Sequence, residues 1–242
     1  MSSGDKTYLI TGVGSGLGKF LYENIPDGLG LTRLNKEEVF DAAAAAKNLN
    51  ILHCAFNSNR KIKDHYQYLQ DNIILTAELL AIPHSRFVYF SSVDIYKEPT
   101  SYSFTKKVAE SYVSARARNP LILRLSALLG PTIRRNSLLR ILEGSELLTL
   151  SGDSSFNYIL QSDILSLLKS RSDDEIKGIY NFISSKNITL REVSEYYGKD
   201  VVFGDFKYIT ISETHAATKN INPKGNRTSL ETVKEFLRGR YE

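Results

Sequence analysis

Tyr8-Leu9-Ile10-Thr11-Gly12-Val13-Gly14-Ser15-Gly16-Leu17-Gly18-Lys19-Phe20-Leu21 is the stretch from which the fold can be read. Residues 8–11 are a short β-rich run, and residues 18–24 carry a helical pattern. The glycines lie between them. A strand that turns sharply into a helix leaves backbone N–H groups at the helix N-terminus with no side chain over them, which suits the pyrophosphate of a dinucleotide. Gly12 and Gly16 permit the tight turn and the close approach of a ligand, and Gly18 lets helix and strand pack together. Thr11, Gly12, Gly14, Ser15, Gly16, Leu17 and Gly18 are therefore candidate cofactor contacts. The ATP-type phosphate loop fits poorly: Lys19 follows Gly18, but Val13 stands where its first glycine belongs and Phe20 replaces the Ser or Thr.

Working outward, the first half of the chain alternates strand and helix signals. Residues 29–32 read as a second strand and residues 37–47 as a helix, in which the run Ala42 to Ala46 has high helix propensity. Residues 51–56 read as a buried strand. Residues 68–80 read as a helix with Ile73, Ile74, Ala77 and Leu80 on its apolar face. Strands at 86–91 and 121–125 flank a helix at 105–117. This alternation predicts an α/β fold, a doubly wound parallel sheet of the Rossmann type. Beyond Gly130 the rhythm loosens, with helices expected at 138–142, 163–168, 190–197 and 229–238 and a polar loop at 212–229. The expected organisation is one Rossmann-type domain over residues 1–242. A small C-terminal substrate-binding lobe would be drawn from about 130–160 and 186–242, over the carboxyl edge of the sheet.

Composition narrows the functional class. Hydrophobic residues make up 42% and charged residues 24% of 242, as in an ordinary globular chain. No apolar run approaches the roughly 20 residues of a membrane span, and the N-terminus has no secretory pattern. The one cysteine, Cys54, excludes an internal disulfide framework and fits a reducing, cytoplasmic compartment. The net charge of +4 is spread along the chain, and the aromatic residues do not interleave with a basic stripe, so neither nucleic acid nor a membrane is the expected partner. His53, His65, His84 and His215 show no metal-ligand spacing, so no metal is expected, and His53 reads as a buried strand residue. No GxSxG nucleophile motif is present.

The end of the second strand decides the nucleotide preference. A carboxylate there would bind the ribose hydroxyls of NAD; Arg33 stands there instead, and a guanidinium suits a 2′-phosphate, so NADP(H) is expected over NAD(H). Further along, Ser91-Ser92 end a strand, and Tyr102 and Lys106, four residues apart, share a helix face. The spacing alone carries little, since the chain holds 14 tyrosines. Its position carries more, because the strand end puts Ser92 at the carboxyl edge of the sheet.

Taken in order, these motifs resemble the short-chain dehydrogenase/reductase superfamily, particularly its extended branch of sugar-nucleotide epimerases, dehydratases and reductases. The turn 11–18 resembles the superfamily's cofactor turn, with a spacing closer to the classical branch. His53-Cys54-Ala55-Phe56 resembles "HxAA", Asn72 to Thr76 "NxxxT", Ser91 to Tyr96 "SSxxVYG", and Tyr102 to Lys106 "YxxSK". Arg124 to Pro131 resembles "RxxxxxGP", residues 158–164 "FIHVDDV", and residues 178–181 "GxYN". The resemblance implies that Tyr102 is the general acid/base. A free tyrosine titrates near pH 10 (about 10 in reference peptides), so a cation such as Lys106 is needed to favour the phenolate. It also implies that Lys106 holds the nicotinamide ribose, that Ser92 hydrogen-bonds the reacting oxygen, that Asn72 organises the network around them, and that Ala55 lines the cofactor.

The pattern also departs from the branch. Val93 and Asp94 stand where dehydratases carry an acid–base carboxylate pair, which disfavours dehydration. Asp94, Ser126, Arg134 and Arg135 are candidate substrate contacts, Ser126 at a position where many epimerases have asparagine and the arginines, with Arg140, as diphosphate binders. The expected function is Tyr-Lys-Ser-assisted hydride transfer by an NAD(P)-dependent oxidoreductase or epimerase acting on a nucleotide-activated sugar. The rivals are an NADPH-dependent reductase of another small carbonyl compound and a non-catalytic NADP-binding sensor or scaffold. A homodimer is expected through the helices carrying Ile73, Val108 and Tyr112.

Overall fold

The computed structural model describes residues 6–58, 65–144, 147–170, 176–210 and 218–241. His215 and part of the expected 212–229 loop lie outside the described residues. The chain divides into two compact units, Met1–Arg124 with Leu168–Tyr180, and Leu125–Leu167 with Asn181–Glu242.

The first unit follows the expected alternation. Strands β1 (Thr7–Thr11), β2 (Gly28–Leu31), β3 (Leu49–His53), β4 (Arg86–Ser92) and β5 (Pro120–Leu125) are interleaved with helices α1 (Gly16–Asn24), α2 (Lys36–Ala45), α3 (His65–Leu69), α4 (Leu75–Ala81) and α5 (Ser101–Arg116). β1 pairs in parallel with β2 and β3, and β3 with β4. Beyond these lie β6 (Ala127–Leu129), helix α6 (Ser137–Leu142), β7 (Ser155–Phe156), β8 (Tyr158–Leu160), α7 (Gln161–Ser170), β9 (Gly178–Phe182), β10 (Ile188–Thr189), α8 (Leu190–Tyr196) and α9 (Ser229–Tyr241). The six-stranded sheet has the order β2-β1-β3-β4-β5-β9. The order reverses at β1, and in such sheets the crevice outside the carboxyl ends of the two strands flanking the reversal, here β1 and β3, is where ligands bind.

The core of this unit is built from Leu9, Ile51, Leu79, Phe87, Tyr89, Val113 and Ile122, all fully buried. Every residue of β3 is buried, which is why it reads as a continuous apolar run rather than an alternation. α5 begins four residues earlier than expected. Thr100 and Ser103 form a reciprocal capping box there, satisfying amides at the helix start.

Two expectations are corrected. The strand expected to run to Phe56 ends at His53, because the Ala55 N–H leaves the sheet and donates to the Thr11 Oγ1 at 2.8 Å. The apolar face expected on helix 68–80 is also out of phase. Residues Gln70–Ile74 form a π-helical turn between α3 and α4, whose wider winding shifts the phase of the following turn. Tyr68, Asn72, Thr76 and Leu79 are buried, while Ile74 is 46% exposed.

In the second unit, β6 pairs with β8 and β7 with β10, two small sheets that the sequence pattern does not announce. Leu138, Ile141, Leu148, Ile188, Val193 and Val233 form its core. A polar network replaces part of that core: Asn157 and Ser184 exchange hydrogen bonds of 2.9 and 2.8 Å, and the Tyr158 N–H donates to Ser229 Oγ at 3.0 Å.

Candidate active site

The glycine turn takes the shape its sequence predicts. Gly12 and Gly16 have φ of +73° and +63°, the left-handed region that favours glycine. A Cβ on Gly12 would come within 3.0 Å of the Ala55 nitrogen, and one on Gly18 within 2.4 Å of the Thr11 carbonyl oxygen. At Gly14 and Gly16 a Cβ would meet nothing within 4 Å. Two of the glycines thus close the turn against the protein, and two leave room on its outer side. No side chain caps α1 and its first turn holds no acidic residue, so its N-terminal amides and dipole suit an anion.

Beneath the turn runs a buried chain of hydrogen bonds. Thr11 Oγ1 lies 2.9 Å from His53 Nδ1, His53 Nε2 lies 2.9 Å from Thr76 Oγ1, and Thr76 Oγ1 donates to the Asn72 carbonyl at 3.1 Å. The directions follow from the ends. Thr76 spends its one proton on Asn72, so His53 Nε2–H must donate to Thr76, and Nδ1 must accept from Thr11, which in turn accepts from Ala55. His53 is fully buried, and burial, with the Lys106 ammonium a smaller influence, lowers its pKa to about 3. It is a neutral spacer joining β1 and β3 to α4, whose Thr76 reaches back to the π-helical turn.

The fully buried Asn72 side chain accepts from the Asn57 N–H at 2.6 Å and donates to the Asn57 carbonyl at 3.0 Å. It thereby locks the segment leaving β3. Asp71, its neighbour, accepts from Asn57, Gln67 and Arg33. Arg33 follows β2 with its side chain 79% exposed, in an ion pair of 2.8 Å with Asp71.

On the other side of the edge, Ser92 ends β4. Its Oγ accepts from the Asp94 N–H at 3.1 Å and caps a short 3₁₀ turn, Val93–Tyr96. Asp94 is paired with Lys97 at 2.6 Å. Tyr102 lies in the first turn of α5 and Lys106 one turn later. Lys106 Nζ donates to the Phe90 carbonyl at 2.7 Å and sits 3.8 Å from the Phe56 ring centre and 4.7 Å from that of Tyr89. Burial pulls its pKa down to about 7, against the pull of Cys54 and Glu110 upward. Phe56 also meets Tyr102 edge to face, with centroids 5.3 Å apart. Burial pushes the Cys54 thiol up, more than Lys106 draws it down. Arg124 is tied to Glu110 by paired hydrogen bonds and to the Tyr96 hydroxyl at 2.9 Å, bracing α5 against the loop after β4.

The first unit thus holds Thr11, the glycine turn, Arg33, Ala55, Asn72, Ser92, Asp94, Tyr102 and Lys106. Ser126, Arg134 and Arg135 belong to the second unit. Ser126 is buried with no hydrogen-bond partner for its hydroxyl among the described residues, and Arg135 pairs with Glu143 at 2.9 Å. Sequence reasoning missed Thr76 and Asp71 as parts of the network and Phe56 as the wall against Lys106. Two signals were there: Thr76 closes the 72–76 stretch matched to "NxxxT", and Phe56 is a large ring where the resembled motif ends in alanine. Among the described residues no group of His, Cys, Asp or Glu could hold a metal ion, and no helix is long and apolar enough to cross a membrane.

No protein-family model matches the chain, and no curated protein matches it in sequence. Solved structures do match in fold. A dTDP-4-dehydrorhamnose reductase from Clostridium acetobutylicum aligns over 98% of this chain and 100% of its own at 16% identity, with a TM-score of 0.76. A UDP-N-acetylglucosamine 4-epimerase from Methanobrevibacter ruminantium, solved with UDP-N-acetylmuramic acid, aligns over 97% and 99% at 17% identity, TM-score 0.68. A UDP-glucuronic acid 4-epimerase from Bacillus cereus, solved with UDP-glucuronic acid and NAD, aligns over 97% and 99% at 16% identity, TM-score 0.65. The chain therefore has the Rossmann-type α/β fold that these proteins share.

Proposed function

We propose that the protein is an NAD(P)-dependent oxidoreductase or epimerase acting on a nucleotide-activated sugar. The observation that carries this reading is the glycine turn at the β1/β3 reversal: space stands open at Gly14 and Gly16, and Lys106 lies behind the segment leaving β3. The structural neighbours support the substrate class, since they include an epimerase solved with a UDP-sugar and NAD. The residues present fit a dinucleotide. Gly12, Gly14, Ser15, Gly16, Leu17 and Gly18 with the α1 amides would hold the pyrophosphate, and Ala55 would line it; Thr11, expected to touch the cofactor, is instead fully buried with its hydroxyl engaged by Ala55 and His53, and braces the turn from beneath. The cofactor supplies hydride transfer when bound.

The chain's own groups divide the remaining work. Tyr102 moves a proton between its hydroxyl and the substrate oxygen. Lys106 favours the phenolate electrostatically, and Ser92 donates to the oxygen on which charge develops. Asn72 acts at one remove, fixing the main chain of Asn57. Asp94, already held by Lys97, and Ser126, Arg134 and Arg135 are proposed substrate contacts.

Arg33 is the proposed 2′-phosphate partner. Its exposed pair with Asp71 is worth only about 0–1 kcal/mol, so a phosphate can recruit it at small cost. The experiment is fluorescence titration with NADPH and NADH. NADPH is expected to bind more tightly, and Arg33→Asp to reverse the order; equal affinities in the native protein overturn the NADP assignment, and no binding of either overturns the function. A homodimer through α5 and the helical segment 68–80 is proposed as well, since Ile74, Phe104 and Tyr112 are 46%, 58% and 48% exposed. A monomeric mass by light scattering overturns it.

A further inference from the structure

Lys106 is the cation this reading assigns to the cofactor, yet its ammonium is enclosed. The residue is 3% exposed, its Nζ donates to the Phe90 carbonyl, and two aromatic rings cover it. A ribose hydroxyl must come within about 2.7–3.2 Å of Nζ to bond it. With the Phe56 ring centre at 3.8 Å, no oxygen fits between them. Tyr89, fully buried in β4, has nowhere to go. The main chain around Phe56 is equally fixed, with Ala55 tied to Thr11 and Asn57 tied twice to Asn72. What remains free to turn is the half-buried Phe56 side chain itself.

We propose that Phe56 is a positioning residue whose ring competes with the cofactor for the face of Lys106, so that binding requires the ring to swing off the ammonium. The inference rests on the cofactor reading above. Because the same ring packs edge to face on Tyr102, its displacement frees the proposed acid and its cation together.

Two measurements on purified protein test the idea, and the first needs no cofactor. Acetylation by acetic anhydride, read by mass spectrometry over a pH series with the exposed neighbour Lys107 as internal reference and compared as the limiting rate of the neutral amine, so that a change in the Lys106 pKa drops out, should be slow at Lys106 in the native protein and at least ~10-fold faster in Phe56→Ala, since the ring both covers the amine and attracts its charged form. Phe56→Leu keeps the bulk and removes the π face, and should fall between; it carries the test if the alanine variant does not fold. The second measurement is NADPH affinity. Relieving the competition should tighten binding roughly 3- to 30-fold in Phe56→Ala, the worth of such a contact. Unchanged labelling overturns the enclosure of Lys106. Equal or weaker NADPH binding by the variant overturns the competition, weaker binding meaning that the ring is part of the cofactor's seat. Failure of both proteins to bind NADPH overturns the cofactor reading and this inference with it, and faster labelling in the variant would then still stand as a property of the chain.

Discussion

Thr76→Val tests the buried chain that joins the glycine turn to the π-helical turn. Valine matches threonine in shape and removes only the hydroxyl. Two bonds go: His53 Nε2 to Thr76 Oγ1 at 2.9 Å, and Thr76 Oγ1 to the Asn72 carbonyl at 3.1 Å. His53 is 0% exposed, so no water replaces its lost partner. Whichever nitrogen carries the proton, one buried polar atom of the Thr11–His53 pair is left unmet, at about 1–3 kcal/mol, and the Asn72 bond adds about 1 kcal/mol. The expected loss is about 2–4 kcal/mol of the stability of the first unit. Hydrogen exchange of the β3 amides against urea is the suitable assay, because it reports the opening of that unit whether or not the second unfolds with it. In a His53→Leu background the stranded donor is gone, so Thr76→Val should cost only about 1 kcal/mol, a coupling of about 1–3 kcal/mol. A loss below about 0.5 kcal/mol, or strict additivity with His53→Leu, would refute the closed chain and with it the role of Thr76 in holding Asn72.

Three further outcomes are expected. Gly18→Ala should destabilise the first unit by about 1–3 kcal/mol, since its Cβ meets backbone, whereas Gly14→Ala should leave stability within about 0.5 kcal/mol and weaken NADPH binding; paired denaturation and titration curves check this, and a stability loss at Gly14 would mean the open space is not there. Tyr102→Phe should lower single-turnover hydride transfer by roughly 100- to 10,000-fold while cofactor affinity is kept, and a rate equal to that of the native protein would remove Tyr102 from the chemistry. For His53 the folded pKa of about 3 lies below the unfolded 6.5, so the unfolded state alone takes up the proton as pH falls through that window, and stability drops by up to about 1.4 kcal/mol per pH unit; the difference between native protein and His53→Leu across pH 6.5 to 3.5 should show that slope, and a flat difference would place His53 in water.

The sequence by itself determined the alternation of strands and helices in the first unit, the glycine turn, and the placing of Tyr102 and Lys106 on one helix face. These follow from local rules: period, propensity and backbone freedom act within a few residues. It did not show that β3 stops at His53, because that ending depends on Thr11, 42 residues away, accepting a hydrogen bond from Ala55 and donating one to His53. Nor did it show the π-helical turn, since Ile73 and Ile74 satisfy an ordinary helical face and the extra residue matters only when Asn72 and Thr76 find buried partners. Arg33 was legible as a cation at a strand end, but its pairing with Asp71 was not. The small sheets of the second unit rest on strands of two or three residues, too short to carry a period. Tertiary structure alone decided that Phe56, the last residue of an apolar run, covers an ammonium: a ring and a cation 50 positions apart meet only when β3 and α5 are folded against one sheet.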